Sequence, residues 1–384
     1  MVAITLDGIT VRYAERPGGR ANALDDLSLD VASGELLVLA GPSGSGKTTV
    51  LRTIAGLEQP VRGTVRIDGR DVRRVAPGGR DVALVTQFQS LFPHLTVEQN
   101  LRFALQLRKV PEEETARRIS AEARVLGLWS KMARRPKTLS TGERQRAAIG
   151  RATTRRPAIY LFDEPLAGLD PAERDRVRRE LQRLQHGLGV TTVYVTHDQR
   201  DAMALGDRVA VLDAGRLAQV AAPLTLYRYP RNLFVAQFFG SPPMGVVRGP
   251  LRDDGSTAWI DVDGTPLRLL PAQRAAVSRH GVGDVLAVGL RAAAVRVGDH
   301  TPCSWSRRLD VVVYNTEPLG ATTVLALTPR GGRRESSDLL YATVTPAQRP
   351  ARGEHLIVTL DMRESHVFDA RTGARHFPPS SHAE

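Results

Sequence analysis

The chain has 384 residues, too many for one small binding module and suited to two or three domains. Its 42% hydrophobic and 24% charged content excludes a collagen-like or disordered chain, and four lysines against 49 arginines set the net charge at +12, of which +10 falls on residues 1–235. No run approaches the ~18 apolar residues of a membrane span, the start MVAITLDGITVRY lacks the cationic and apolar stretches of a secretory signal, and the single Cys303 excludes an intrachain disulfide or a multi-thiolate metal centre.

In chain order, ITLDGITV and LDDLSLDV flank the polar PGGRAN stretch and predict two antiparallel strands within residues 1–33. From 36 to 56 the pattern becomes a buried strand (LLVLA), a glycine-rich turn (GPSGSG) and a helix (KTTVLRTIAGL), the opening of an α/β unit. Residues 97–135 carry charge and helix-period apolar positions, as in EEETARRISAEARVLGL, and predict a helical insert within about 90–150. AIYLF at 158–162 and VTTVYVT at 190–196 flank an amphipathic helix at 171–186 and read as central parallel strands. RVAVLDAGRLAQ reads as a hairpin turning near Ala214-Gly215, followed by two helical turns up to Phe239. The GSPPMG stretch at 240–245 is a composition break, which divides the chain into 1–239 and 240–384. Beyond it the period changes to 2 in TAWIDVDG, DVLAVGL, LDVVVYN, TTVLALT and HLIVTL, predicting a small all-β barrel of OB type. PRGGRRESSD reads as an exposed loop and PPSSHAE as a frayed end.

Two motifs carry chemistry. Gly41-Pro42-Ser43-Gly44-Ser45-Gly46-Lys47-Thr48 satisfies G-x-x-x-x-G-K-[ST], and it stands between a buried strand and a helix, where backbone amides and the helix N-terminus surround phosphate oxygens. Lys47 is placed to reach the β and γ phosphates and Thr48 to offer its hydroxyl to Mg²⁺; Thr49 follows in the nucleotide-binding set. The strand AIYLF then runs into Asp163 and Glu164. The first suits Mg²⁺ at a strand's C-terminal end, the second a general base or a group that polarises the attacking water.

LSTGERQRAAIGRA at 139–152 resembles the LSGGQ signature of ABC-transporter ATPases, with a spacing between the two phosphate-site motifs that is normal for that family. The resemblance implies further residues: Gln87 as the Q-loop glutamine, Ala167-Gly168-Leu169-Asp170 as the D-loop, His197 as the switch histidine and Tyr13 as the aromatic that stacks on adenine. LFPHLTV, LYRYPRNLFVAQFFGSPPMG and the β-rich tail are similar to ATP-binding subunits of the maltose and glycerol-phosphate type of sugar importer, which end in an OB-like regulatory domain of the TOBE kind. GLRAAAVRV and EPLG correspond to recurring elements of that tail, although Ala292, Ala293 and Ala294 lack its proline and acidic residues.

Such a protein is expected to use ATP and Mg²⁺, with Thr48, Gln87 and Asp163 on the metal and Glu164, His197 and Gln87 in catalysis. Two nucleotide domains would face each other, most simply as a homodimer, so that Ser140, Gly142 and Asp170 act at the site of the partner. Separate membrane permeases, reached indirectly by a solute-binding protein, and a peripheral position on the cytoplasmic face complete the expectation. Residues 88–103, with Phe88, Leu91, Phe92 and Pro93, would receive a permease helix. Thr141 and Glu143 replace the first glycine and the glutamine of the signature, so a carboxylate near phosphate could oppose closure. A different cargo such as polyamine, sulfate or iron remains open, as does a weakly hydrolysing regulatory subunit. A ribosome- or nucleic-acid-associated ABC protein would use the positive charge, but the nearly neutral tail shows no aromatic stacking stripe, and no nucleic acid is expected as a partner.

Overall fold

In a computed structural model, residues 2–13, 22–86, 91–298, 303–330 and 338–377 are described. Gln87, Phe88, nearly all of PGGRAN, the centre of PRGGRRESSD and PPSSHAE lie outside these residues. The chain divides into two compact units, Met1–Pro223 and Leu224–Glu384.

The first unit holds strands β1 (Ile4–Val11), β2 (Leu24–Val31) and β3 (Leu36–Ala40), helix α1 (Lys47–Ala55), then β4 (Arg62–Ile67), β5 (Arg70–Asp71) and β6 (Val82–Val85). Helices α2 (Val97–Leu107), α3 (Glu112–Val125) and α4 (Thr141–Thr153) form the insert, and β7 (Ile159–Asp163), α5 (Pro171–Leu188), β8 (Thr191–Thr196), α6 (Gln199–Leu205), β9 (Arg208–Asp213) and β10 (Arg216–Ala221) follow. Two sheets result. One is antiparallel in the order β2-β1-β4-β5, and the other runs β10-β9-β3-β8-β7-β6. In the second, β9, β3, β8, β7 and β6 are mutually parallel. β3 and β8 are buried at every position, which explains why their sequences are unbroken apolar and threonine runs rather than alternating ones. Ile4 and Leu27 of the antiparallel sheet, Leu37 and Leu39 of β3, and Val50 and Ile54 of α1 share one core. That packing fixes the start of α1 at the carboxyl end of β3, the edge where α/β sheets bind ligands.

The two early strands, the helical insert, the central parallel strands and the hairpin at Ala214-Gly215 match the sequence expectation. The β4–β5 hairpin was not anticipated, yet it has a plain signal: Asp68 and Gly69 both take positive φ, 51° and 75°, as an Asp-Gly turn of the hairpin type requires.

The second unit takes in most of α7 (Pro223–Arg228) and all of α8 (Leu233–Phe238), then β11 (Gly245–Asp253), β12 (Ala258–Val262), β13 (Thr265–Arg268), α9 (Pro271–Ala276), β14 (Val285–Leu290) and β15 (Val295–Val297). It continues through β16 (Ser306–Pro318), β17 (Thr323–Pro329), β18 (Leu340–Val344), β19 (His355–Asp361), β20 (His366–Asp369) and β21 (Arg375–Phe377). Its sheets run β13-β12-β11-β14-β20-β21 and β15-β19-β16-β17-β18. They close over one core that includes Val247, Ile260, Leu286, Leu309, Leu325 and Val358, giving the small OB-like all-β architecture expected of the tail.

The division falls before the composition break at 240, for a packing reason. Leu233 and Ala236 of α8 are buried with Met244, Val246, Ala287 and Phe368. The buried Arg291 guanidinium donates to the carbonyls of Tyr227, Ala236 and Phe239 and lies over the Tyr227 ring at 4.1 Å. Burial holds its pKa down at about 10, so it remains charged at neutral pH. Residues 224–239 therefore pack with the all-β unit, whatever their composition.

Candidate functional site

Between β3 and α1 the chain turns through Gly41–Gly46. Gly46 caps α1 at a φ of 102° with no side-chain bond to the first turn, so the leading amides of the helix have no side-chain acceptor and present an anion site. Glycine is needed at both ends of this turn: a Cβ on Gly41 would stand 2.4 Å from the Leu212 carbonyl oxygen, and one on Gly46 2.7 Å from that of Ala23. The Ser45 hydroxyl is buried with no hydrogen-bond partner, an unmet polar group of the kind a bound ligand satisfies. Lys47 is buried and folds back, its Nζ donating to the carbonyls of Gly41 at 2.8 Å and Pro42 at 2.7 Å. Burial lowers its pKa, against the opposing pull of Glu164 and Asp163. An ammonium held on neutral carbonyls beside the opening turn of a helix is poised to exchange them for phosphate oxygens.

Opposite this turn, β7 ends in the acidic pair. The Thr48 hydroxyl donates to Asp163 Oδ1 at 3.1 Å. Burial raises the Asp163 pKa and the charge of Glu164 adds to the rise, while Thr48, Arg52 and Lys47 lower it. Glu164 sits in the left-handed region at φ 48°, unusual for a residue with a Cβ. Its amide bonds to the Val195 carbonyl on β8, and its Oε1 meets His197 Nδ1 at 2.9 Å. A hydroxyl, two carboxylates and an imidazole thus converge from the ends of α1, β7 and β8.

Tyr13, Asn22, Ala23, Ser43, Gly44, Gly46, Lys47, Thr48, Thr49 and Glu164 line a cavity of about 470 Å³, within the range of small-ligand sites. The Tyr13 hydroxyl hydrogen-bonds Thr49 Oγ1 at 3.0 Å and the ring stays half exposed, a free face for an aromatic ligand. Asn22 and Ala23 were not singled out from the sequence. Asn22 accepts from Arg12 Nε and donates to Asp25, which sets the rim of the cavity; its only sequence signal was the polar PGGRAN stretch.

Ser140, Gly142 and Asp170 are not among the residues lining this cavity. Ser140 caps α4: its Oγ accepts from the Glu143 amide at 3.1 Å, and Glu143 Oε2 accepts from the Ser140 amide at 2.9 Å. Glu143 Oε1 also pairs with Lys131 at 3.0 Å. The Ser140 amide and Lys131 hold the Glu143 pKa below its usual value, so its charge is already engaged within the chain. Gly142 lies against the Glu173 carboxyl, where a Cβ would come within 1.9 Å; Glu173 pairs with Arg146 at 2.7 Å. Asp170 caps α5 by accepting from the Glu173 amide at 3.0 Å. Gln87 lies outside the described residues.

The ABC transporter family profile matches residues 24–167. The chain is 41% identical over 374 residues to a xylose/arabinose import ATP-binding protein of Haloferax volcanii, covering 97% of this chain and 95% of that one. The chain belongs to the ABC transporter family.

This ABC-type ATPase is also 41% identical to the trehalose/maltose import ATP-binding protein of Thermococcus litoralis, over 94% of its own length and 96% of the relative's. To the sn-glycerol-3-phosphate import ATP-binding protein of Burkholderia mallei it is 42% identical, over 98% and 99%. Among solved structures, the dimeric form of a bacterial ABC transporter cassette matches with a TM-score of 0.53 and 30% identity, over 57% of this chain and 98% of that one. The same cassette in a post-hydrolysis state, bound to ADP and Pi, matches equally. Nucleotide is therefore the ligand class of the family to which this ATPase belongs.

The ATPase carries a second concavity of about 250 Å³ lined by Ala83, Val85, Phe92, Phe103, Leu107 and Arg151 among others. Phe92 packs on Phe103 with ring centroids 4.6 Å apart, and the Arg151 guanidinium lies over it at 5.1 Å. The fully buried Asn100 was not anticipated. It accepts from the Phe92 amide at 2.8 Å and donates to the carbonyls of Phe92, Leu95 and Thr96, fixing the loop that carries Phe92. Leu91 and Pro93 do not line this concavity, and Phe88 lies outside the described residues.

Proposed function

We propose that this chain is the ATP-hydrolysing subunit of an ABC importer for sugars or sugar derivatives, acting at the cytoplasmic face of the membrane beneath separate permeases. The observation that carries the reading is the convergence of Lys47, the Thr48–Asp163 pair and the Glu164–His197 pair on the glycine-rich turn that opens α1. Similarity over nearly the whole chain to three sugar or glycerol-phosphate import ATP-binding proteins supports the cargo class. No helix of the described residues is long and apolar enough to cross a membrane, so the translocation path would lie in partner chains.

In this mechanism the adenine stacks on Tyr13 and the phosphates occupy the amides of the Gly41–Thr49 segment. Lys47 leaves the Gly41 and Pro42 carbonyls for the β and γ phosphates. Thr48 and Asp163, together with Gln87, would hold Mg²⁺, which would supply charge neutralisation at the phosphates. Glu164 accepts a proton from the attacking water, and His197, on the far side of that carboxylate, keeps it oriented. Ser140, Gly142 and Asp170 of a second copy complete the site, so closure follows ATP binding and reopening follows hydrolysis. A permease segment would seat in the concavity at Phe92 and Phe103. A solute-binding protein would deliver the cargo to the permeases.

Steady-state Mg-ATP hydrolysis over a protein concentration series tests the composite site: turnover per chain should rise with concentration and vanish in Lys47→Ala. Ligand screening of the cognate solute-binding protein tests the cargo. Preference for polyamine, sulfate or iron over sugars would overturn that part.

A further inference from the structure

At the C-terminal edge of the all-β unit, His280, Asp369 and His376 bring one donor atom each to within 4.8 Å of one another. We propose that they form a binding site for a zinc-class divalent cation, separate from the nucleotide site. They come from three places in the chain: the turn after α9, the end of β20 and the last described strand, β21.

The two imidazoles meet edge to face, with ring centroids 4.5 Å apart at 61°, and their Nε2 atoms stand 3.0 Å apart. Two nitrogens on a tetrahedral zinc, each bonded at ≈ 2.0–2.1 Å, are held roughly 3.3 Å apart. Seating the ion therefore needs a shift of only a few tenths of an ångström.

Hydrogen bonding fixes which lone pairs face the site. His280 Nδ1 donates to Asp284 Oδ2 at 3.3 Å, which leaves the Nε2 lone pair directed at His376. Carboxylate-backed imidazoles of this sort are the usual ligands of bound metals. Asp284 is itself held by the Gly281 amide at 3.0 Å. The Asp369 carboxylate is fixed by the amides of Arg371 and Thr372 at 2.9 and 2.6 Å. On His376, Nδ1 accepts from Arg279 at 2.5 Å, so in the metal-free chain Nε2 bears the proton shared with His280. On binding, that proton moves to Nδ1, the Nε2 lone pair turns to the ion and Arg279 withdraws to solvent. His376 remains a neutral ligand, and no oxidation or proton release is required.

Two imidazoles and one carboxylate select a borderline cation such as Zn²⁺ over Mg²⁺ or Ca²⁺, with water in the fourth position. The ion would clip β21 to the body of the unit. That strand pairs with β20 at only two positions, Val367↔Phe377 and Phe368↔Arg375, with a register shift between them.

The test uses the full chain without a histidine tag, stripped with EDTA, free of nucleotide and titrated with Co²⁺. The visible bands of four-coordinate cobalt should saturate at one equivalent per chain and be displaced by Zn²⁺. They should be lost in His280→Ala and in the edge-strand variant His376→Gln, and Asp284→Asn should weaken binding about 10–100-fold. Zn²⁺ should raise the thermal midpoint of the parent chain and not that of His376→Gln, while ATP hydrolysis is equal in both. Absence of four-coordinate bands, or bands that persist in both histidine variants, overturns the proposal and leaves the nucleotide-site reading untouched.

Discussion

His197 Nδ1 lies 2.9 Å from Glu164 Oε1, and the Glu164 backbone at that point takes a left-handed φ of 48°, so an imidazole contact and an unusual backbone meet at one residue. Glu164→Gln keeps that geometry and removes the base. Hydrolysis should fall by about 10²–10⁴ while nucleotide affinity is retained, as read by single-turnover assay and fluorescent-ATP titration. His197→Ala should fall in the same direction. Turnover within twofold of the parent in Glu164→Gln would remove Glu164 from the chemistry.

Asp163 predicts a trade between stability and activity. Burial raises its pKa, so the folded state binds its proton more tightly than the unfolded chain does. Its ionised form therefore costs stability above the folded pKa, and the cost disappears as pH drops below the ordinary aspartate value. Asp163→Asn, which still accepts from Thr48, should raise the thermal midpoint at neutral pH by about 2–4 °C, ~1 kcal/mol for a domain of this size, and should abolish Mg²⁺-dependent hydrolysis. The stabilisation should shrink toward acid pH in differential scanning fluorimetry.

Glu143 bears on whether the altered signature weakens the enzyme. Its carboxylate accepts from the Ser140 amide and pairs with Lys131, so its charge is used inside α4 and the preceding turn. Glu143→Gln keeps the reciprocal cap and should leave the hydrolysis rate within about twofold, because the partly exposed pair with Lys131 is lost while the cap that shapes the start of α4 is retained. A sharp rise in turnover would instead identify the carboxylate as a brake. The folded pKa of Glu143 is lowered, so the stability it lends is present above the ordinary glutamate pKa and lost as pH falls through the folded value.

Asn100 makes four bonds to the loop Phe92–Thr96. Asn100→Ala should leave basal hydrolysis intact and reduce its stimulation by permeases in proteoliposomes, since the loop would lose its anchor. Leaving those backbone groups unpaired costs about 1–3 kcal/mol each unless water enters. Full stimulation in the variant would separate the Phe92 concavity from permease coupling.

The site was legible where function is written in consecutive residues and obscure where packing writes it. The turn from Gly41 to Thr48 and the Asp163-Glu164 pair stand out because backbone amides, lysine and hydroxyl must follow one another in fixed order. The partnership of Glu164 with His197 has no such signature, because it depends on β7 and β8 lying side by side, and family resemblance alone suggested it. Asn22 and Asn100 read as ordinary polar residues until the backbone groups they serve are seen. In the second unit, the period of 2 announced strands, but nothing local announced that Arg291 would bind the carbonyls of Tyr227, Ala236 and Phe239. The cluster at positions 280, 369 and 376 matches no metal spacing and exists only through the pairing of β20 with β21.

The floor beneath Gly142 has a mechanical meaning. Glu173 fills the space a side chain would take there, is held by Arg146 of α4, and lends its amide to the Asp170 cap. The leading ends of α4 and α5 are thereby joined through one residue, whose carboxylate holds α4 and whose amide holds the Asp170 cap. A displacement of the turn at Ser140–Gly142 would be expected to carry the start of α5 with it.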